Sequence, residues 1–412
     1  MSDVERSFVL NGDVLDLCAE IEDDYFDAVF CDPPYGLSFM GKRWDHGVPS
    51  AEIWREIMRL VKPGGHIMAF GGTRTYHRLA VNIEDAGWEI RDSLMWLYGS
   101  GFPKSHNISK ALDKKVGAER EVVGEKERAG GMHRSSKYGW KDTDGDERRS
   151  AAITAPATDA AKRFDGYGTA LKPAYEPIVL AMKPRGKSFA DCALEHGVAG
   201  LNIDGGRVGE PIPHQEGGLH RGSGATVGSF TGKHEKRAVD QGRFPANLIL
   251  DEAAGDLLDA QAGDEKSRFF YTAKASKAER EAGLEGMVKR EDGTIGYPRC
   301  KKCGKQKVNV SGTCQCDDPE WENVKKARKR ANTHPCVKPL DLCRYFATLL
   351  LPPEREDSRK ILVPFSGSGS EMIGCLAAGW DFVVGMELEQ KYCEIAEKRI
   401  EYWQDHFEEI TP

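Results

Sequence analysis

Apolar residues recur in two rhythms along this chain. Short continuous runs alternate with stretches in which apolar positions return every three or four residues. The first run, Ser7-Phe8-Val9-Leu10, ends in Asn11-Gly12-Asp13. A helix over residues 13–23 then leads to Ala28-Val29-Phe30, a buried strand that stops at Cys31-Asp32. Ile53, Trp54, Ile57, Met58, Leu60 and Val61 keep helical spacing over 51–61, and Lys62-Pro63-Gly64-Gly65 closes that helix. His66-Ile67-Met68-Ala69-Phe70 reads as the next strand, 75–86 as a helix and 88–98 as a strand. Such alternation predicts a parallel α/β sheet, whose ligands bind outside the carboxyl ends of the strands.

From 114 to 168 the rhythm fails. Charged, glycine-rich stretches there read as a mobile insertion that orders on DNA. Ile178-Val179-Leu180-Ala181-Met182 resumes the sheet. Residues 185–331 form a second region, glycine-rich around 217–232, with Asn247-Leu248-Ile249-Leu250 as its clearest strand. The sheet pattern returns at 332. A helix spans 340–350, and strands at 360–364 and 381–386 flank a helix over 371–378 with Ser370 as N-cap. The last helix, 390–407, turns Tyr392, Ile395, Ala396 and Ile400 inward. The chain thus divides into 1–184, 185–331 and 332–412.

Composition narrows the class. With 412 residues, 40% hydrophobic and 30% charged, the chain can build two domains of an ordinary soluble protein. No apolar run approaches the ~20 residues that cross a bilayer. The start, Met1-Ser2-Asp3-Val4-Glu5-Arg6, is not a signal peptide, so a cytoplasmic chain without a membrane partner is expected. Eleven cysteines, mostly in apolar contexts, suit reduced thiols and not a disulfide framework. A net charge of −7 argues only weakly against nucleic acid, because one basic face suffices for phosphates.

Chemistry concentrates in two loops. After the second strand, Cys31-Asp32-Pro33-Pro34-Tyr35-Gly36 combines a carboxylate, carbonyls freed by two prolines and a flat ring. Those groups suit an enzyme that modifies the exocyclic amine of a flipped base. Taken alone, the loop is equally a Pro-Pro turn after a strand. Near the C-terminus, Phe365-Ser366-Gly367-Ser368-Gly369-Ser370 joins a strand to a helix, where glycines let a ligand approach the backbone. Glu387, ending the next strand, is placed for ribose hydroxyls. A dinucleotide fingerprint would need a third glycine, which is lacking.

The middle region offers further candidates. Cys300-Lys301-Lys302-Cys303 and Cys314-Gln315-Cys316, ten residues apart, have the spacing of a tetrahedral zinc ribbon over about 298–318. Lys325-Lys326-Ala327-Arg328-Lys329-Arg330 suits phosphates, or is a solvated helix face. Residues 268–277 interleave basic and aromatic side chains, suiting DNA or a buried aromatic strand.

The two loops, together with Trp96-Leu97-Tyr98-Gly99, Leu171-Lys172-Pro173-Ala174-Tyr175-Glu176-Pro177 and His334-Pro335-Cys336-Val337-Lys338-Pro339, resemble the S-adenosylmethionine-dependent amino-group DNA methyltransferases. The loop order is similar to that of their circularly permuted β group, adenine-specific and often phage-encoded. The resemblance implies a Rossmann-like α/β sheet with an inserted target-recognition region, and double-stranded DNA as substrate. It implies catalysis by Asp32, Pro33, Pro34 and Tyr35. It implies cofactor contacts from Asp13, Cys31, Lys338, Phe365, Ser366, Gly367, Ser368, Gly369 and Glu387. It leaves open a homodimer and a partner restriction nuclease. One departure stands out: the family usually carries Asp two residues before the loop's Phe, and here that position is Val363. An N4-cytosine enzyme, a protein-glutamine methyltransferase and a DNA-binding protein without transfer activity are the alternatives.

Overall fold

The computed structural model describes residues 6–37, 43–99, 105–126, 151–209, 242–262, 266–273, 278–288, 290–302, 320–334 and 336–410. In chain order the first elements are β1 (Ser7–Asn11), α1 (Val14–Ala19), β2 (Phe26–Cys31), α2 (Ala51–Leu60), β3 (Val61–Phe70), α3 (Tyr76–Asp85) and β4 (Glu89–Leu97). There follow α4 (Ile108–Lys115), β5 (Val122–Lys126), β6 (Ala151–Thr154), α5 (Asp159–Arg163), β7 (Tyr175–Met182), α6 (Phe189–His196), β8 (Leu248–Asp251), α7 (Glu252–Ala262) and β9 (Tyr271–Ala273). The chain continues with β10 (Arg290–Cys300), β11 (Trp321–Arg330), α8 (Leu340–Leu350), β12 (Lys360–Pro364), α9 (Ser370–Ala378), β13 (Phe382–Glu387) and α10 (Gln390–Gln404).

These elements fall into two compact units. One comprises 1–99, 175–288 and 331–412; the other comprises 100–174 and 289–330. The first holds a nine-stranded sheet in the order β1-β13-β12-β2-β3-β7-β4-β8-β9. Strands β1, β13, β12, β2 and β3 run parallel, so their carboxyl ends share one edge. Strand β7 runs antiparallel to both β3 and β4. The sheet is therefore mixed, where the rhythm of the sequence predicts a parallel one. An antiparallel strand needs no crossover helix of its own, and the apolar run at 178–182 carries no mark of its direction.

The central strands are buried on both faces, as parallel strands covered by helices are. Ala28 and Phe30 join an apolar cluster with α8, α9 and α10, which includes Phe346, Ile373 and Ile400. Val29 and Cys31 join the opposite cluster, with Trp54, Ile57 and Ile83 of α2 and α3. One continuous apolar run thus serves two cores, because successive strand residues face opposite sides.

Three local expectations change. The N-cap of α9 is Gly369 at φ 79°, not Ser370, whose hydroxyl is taken by Arg399. Residues 114–168 contain the antiparallel pair β5–β6 and the short α5; residues 127–150 lie outside the described part. Their strands are too short to print a period. The cluster at 325–330 lies on β11, paired antiparallel with β10, and not on a helix.

Candidate active site

Strands β2 and β12 are neighbours, with Ile361 opposite Ala28 and Leu362 opposite Val29. Their carboxyl-terminal loops, remote in sequence, therefore emerge side by side. The first is tightly held. Gly36, at φ 67°, donates its N–H to Asp45 Oδ1 at 2.8 Å, and Thr75 Oγ1 donates to the Tyr35 carbonyl at 2.6 Å. Pro33 is buried, and Pro34 is half-buried.

Within this frame four polar side chains converge. Lys338 Nζ lies 2.5 Å from Asp32 Oδ2, 3.2 Å from the Tyr35 hydroxyl and 3.4 Å from Glu176 Oε2. The Tyr35 hydroxyl lies 2.8 Å from Asp32 Oδ1 and 3.1 Å from Glu176 Oε2. The ammonium also sits 4.6 Å from the centre of the Phe70 ring, within cation–π range. Burial works against the charge on Lys338, but the Asp32 and Glu176 carboxylates outweigh it and hold its pKa well above the lysine norm. Burial, then Asp32 and Glu176, push the Tyr35 phenol the same way, so it stays a donor.

The second loop is built for close backbone approach. Phe365, Gly367 and Gly369 all have positive φ, at 61°, 54° and 79°. A side chain on Gly367 would meet the His334 ring at 2.9 Å. Phe365 bears the strain of a non-glycine left-handed residue, and its ring packs edge-on against Trp54 at 6.1 Å. Glu387 braces the loop, accepting from Gly367 N–H at 2.9 Å and Glu389 N–H at 2.8 Å. Burial raises its carboxyl to about 7. From behind, the buried Arg399 guanidinium donates to the Ser368 carbonyl and, at 3.1 Å each, to the Ser368 and Ser370 hydroxyls. The Ser366 hydroxyl is buried with no hydrogen-bond partner among the described residues.

The other candidates distribute as follows. Asp13 caps α1, accepting from Leu15 N–H at 2.9 Å, and stands beyond Asn11, which is in register with Glu387. Cys31 is buried, and burial pushes its thiol well above the usual range. Of the zinc candidates, Cys300 is buried at the end of β10; Cys303, Cys314 and Cys316 lie outside the described residues. No metal-ligating cluster occurs among the described residues. In the 268–277 stretch Tyr271 is buried, its ring stacked on Tyr345 at 3.8 Å, so that aromatic is core and not a platform for bases; 274–277 are not described. No described helix is long and apolar enough to cross a membrane.

Sequence reasoning passes over three of these side chains. Glu176 lies inside a quoted motif, but nothing local marks it as a partner of Tyr35. Arg399 sits on a helix otherwise read as core. Glu371, in the first turn of α9, reads as an ordinary helical carboxylate.

A carboxylate, a tyrosine and a lysine thus meet at the carboxyl edge of the sheet, beside a glycine loop. A family model of DNA methylases, covering the N6 and N4 types, matches residues 26–398. The chain belongs to this family of amino-group DNA methyltransferases. Among solved structures it is similar to the M1.HpyAVI–SAM complex at 13% identity, covering 95% of this chain and 99% of that one, with TM-score 0.38. It is similar also to the cytosine-N4-specific PvuII DNA methyltransferase at 12% identity, covering 99% and 93%, with TM-score 0.43.

Proposed function

We propose that this chain moves a methyl group from S-adenosylmethionine to the N6 amine of an adenine flipped out of double-stranded DNA. The observation that carries the reading is the Asp32–Tyr35–Lys338–Glu176 cluster beside the glycine loop. We read the chain order as a circular permutation: the strand of the catalytic loop precedes that of the glycine loop in sequence, although the two are neighbours in the sheet. Residues of the glycine loop fit the cofactor: Gly367 and Gly369 turn the backbone through left-handed conformations, Ser366 has a spare hydroxyl and Glu387 ends the adjacent strand.

Bound S-adenosylmethionine supplies an electrophilic sulfonium methyl. The protein's part is to hold and activate the amine. Asp32 and the Pro33 carbonyl accept its hydrogens and raise electron density at nitrogen. Each carboxylate oxygen of Asp32 has a lone pair beyond the one used by Lys338 or Tyr35. Lys338 holds Asp32 in place through their ion pair, and the Tyr35 ring offers a face for the base. Cys31, held neutral by burial, is not a nucleophile.

Asp32 stands where cytosine-N4 enzymes of the resembling family more often carry Ser, which favours adenine. Expression in a methylation-free host, followed by modification-sensitive sequencing, tests this. N6-methyladenine at a defined site, absent with Asp32→Ala, is expected. N4-methylcytosine would transfer the reading to the other branch of the family, and unmodified DNA would overturn it. We also read Cys300, Cys303, Cys314 and Cys316 as a structural zinc site. Three of them lie in the connection between the paired strands β10 and β11, closed by Cys300 opposite Trp321. Elemental analysis showing no zinc in purified protein would remove it.

A further inference from the structure

The site contains one carboxylate that the reaction does not use. Glu371 is 5% exposed and lies in the first turn of the nine-residue α9, directly after the glycine loop. It accepts from its own backbone N–H, and no other described residue gives it a hydrogen bond or ion pair. The charges that it feels are Asp32, which repels it, and Lys338 and Arg399, which attract it. Both cations are already committed. Lys338 is shared by Asp32 and Glu176, and Arg399 by Ser368, Ser370 and the Glu279 carbonyl. A buried carboxyl with no bonded counter-ion is costly to ionise, and its place directly after the ligand loop fits a cationic ligand group that would favour the ionised form.

The loop has no substitute for it. Glu387 is held by two backbone N–H groups. Val363, where the resembling family carries Asp, is fully buried in the apolar core with Met372 and Ile373. We infer that Glu371 is the cofactor-binding carboxylate that receives the ammonium of the cofactor's amino-acid end. This rests on the reading of the glycine loop as a site for S-adenosylmethionine. Its place in the first turn of α9 lets the helix N-terminus favour negative charge there as well.

Calorimetric titration of the full chain and of Glu371→Gln with three ligands separates the cases. S-adenosylmethionine and S-adenosylhomocysteine both carry the ammonium, and only the former carries the sulfonium. 5′-Methylthioadenosine carries neither. The amide should weaken the first two alike, by at least tenfold, and leave methylthioadenosine unchanged. Equal affinities of wild type and Glu371→Gln for S-adenosylmethionine would overturn the inference alone. Loss confined to S-adenosylmethionine would move the contact to the sulfonium and overturn it. Loss of all three ligands would show a structural role and overturn it also. A wild-type chain that binds none of them would overturn the cofactor reading together with the inference.

Discussion

The loops after β2 and β12 leave adjacent strands, yet they treat their buried carboxylates in opposite ways. Asp32 is fully engaged, with a lysine on one oxygen and a tyrosine hydroxyl on the other. Glu371 has only its own backbone, and burial, then Asp32, lifts its carboxyl to about 7. Glu387 lies between these extremes, held by backbone N–H groups but with no basic side chain bonded to it. The difference teaches where each charge is to be satisfied. The carboxylate proposed to accept from the amine carries its cation with it. The carboxyl proposed to await a cationic ligand is left without one, and burial favours its protonated form until a ligand ammonium draws off the proton.

Removing the cation from the first loop breaks the contrast most severely. Lys338→Met leaves Asp32 in the same near-buried position with no counter-ion, and breaking a buried pair from one side costs about 3 kcal/mol. Urea unfolding should show a loss of that order, and Lys338→Met combined with Asp32→Asn should recover much of it. A single variant as stable as wild type would mean that the pair contributes nothing to folding and that the two loops do not differ in this way.

Glu387→Ala has a smaller expected effect. Loss of its carboxylate frees Gly367 N–H and removes the acceptor proposed for ribose hydroxyls. A hydrogen bond to a charged group is worth about 1.5–3 kcal/mol, so S-adenosylmethionine should bind roughly tenfold to a hundredfold more weakly. Unlike Glu371→Gln, this variant should weaken methylthioadenosine as well, because the ribose is common to both ligands. An unchanged dissociation constant would remove Glu387 from the cofactor site.

How much of this is legible in the sequence depends on range. Each loop announces itself locally, by Asp-Pro-Pro-Tyr and by Phe-Ser-Gly-Ser-Gly, and strand–loop–helix order alone sends both to the carboxyl edge of a sheet. The cluster itself is not local. Glu176 lies 141 residues beyond Tyr35, and Lys338 lies 306 residues beyond Asp32. Only the insertion of β7 between β3 and β4, with its antiparallel direction, brings Glu176 to Tyr35. Arg399 hides for another reason: on α10 it occupies an inward position among Ile395, Ile400 and Trp403, where periodicity predicts an apolar residue. The segment at 247–250 reads correctly as a strand, but its partner, β4, is set by tertiary pairing that the run does not encode.

The smallest effect is the pH dependence of stability, and its sign separates the second loop from ordinary acid behaviour. Glu371 and Glu387 have folded-state pKa values raised to about 7 from an ordinary 4.5, chiefly by burial. The folded chain therefore holds protons on these groups over a range in which the unfolded chain has released them. Stability contributed this way is present below about pH 4.5, declines as pH rises toward 7 and is flat above it. The groups around Glu371 are Asp32, Lys338 and Arg399, with the thiols of Cys31, Cys343 and Cys375, whose pKa values burial raises. Burial holds those thiols, and the neighbouring carboxylates hold Lys338, above that window. The ligand-free protein should lose stability as pH rises from 5 toward 7 in denaturant titrations. Glu371→Gln should flatten part of the slope. Saturation with S-adenosylhomocysteine should flatten it too, since an ammonium beside Glu371 favours the ionised carboxylate and lowers its pKa. A ligand-free slope of the opposite sign would show that these two carboxyls do not retain their protons in the folded protein, and the contrast between the loops would fail.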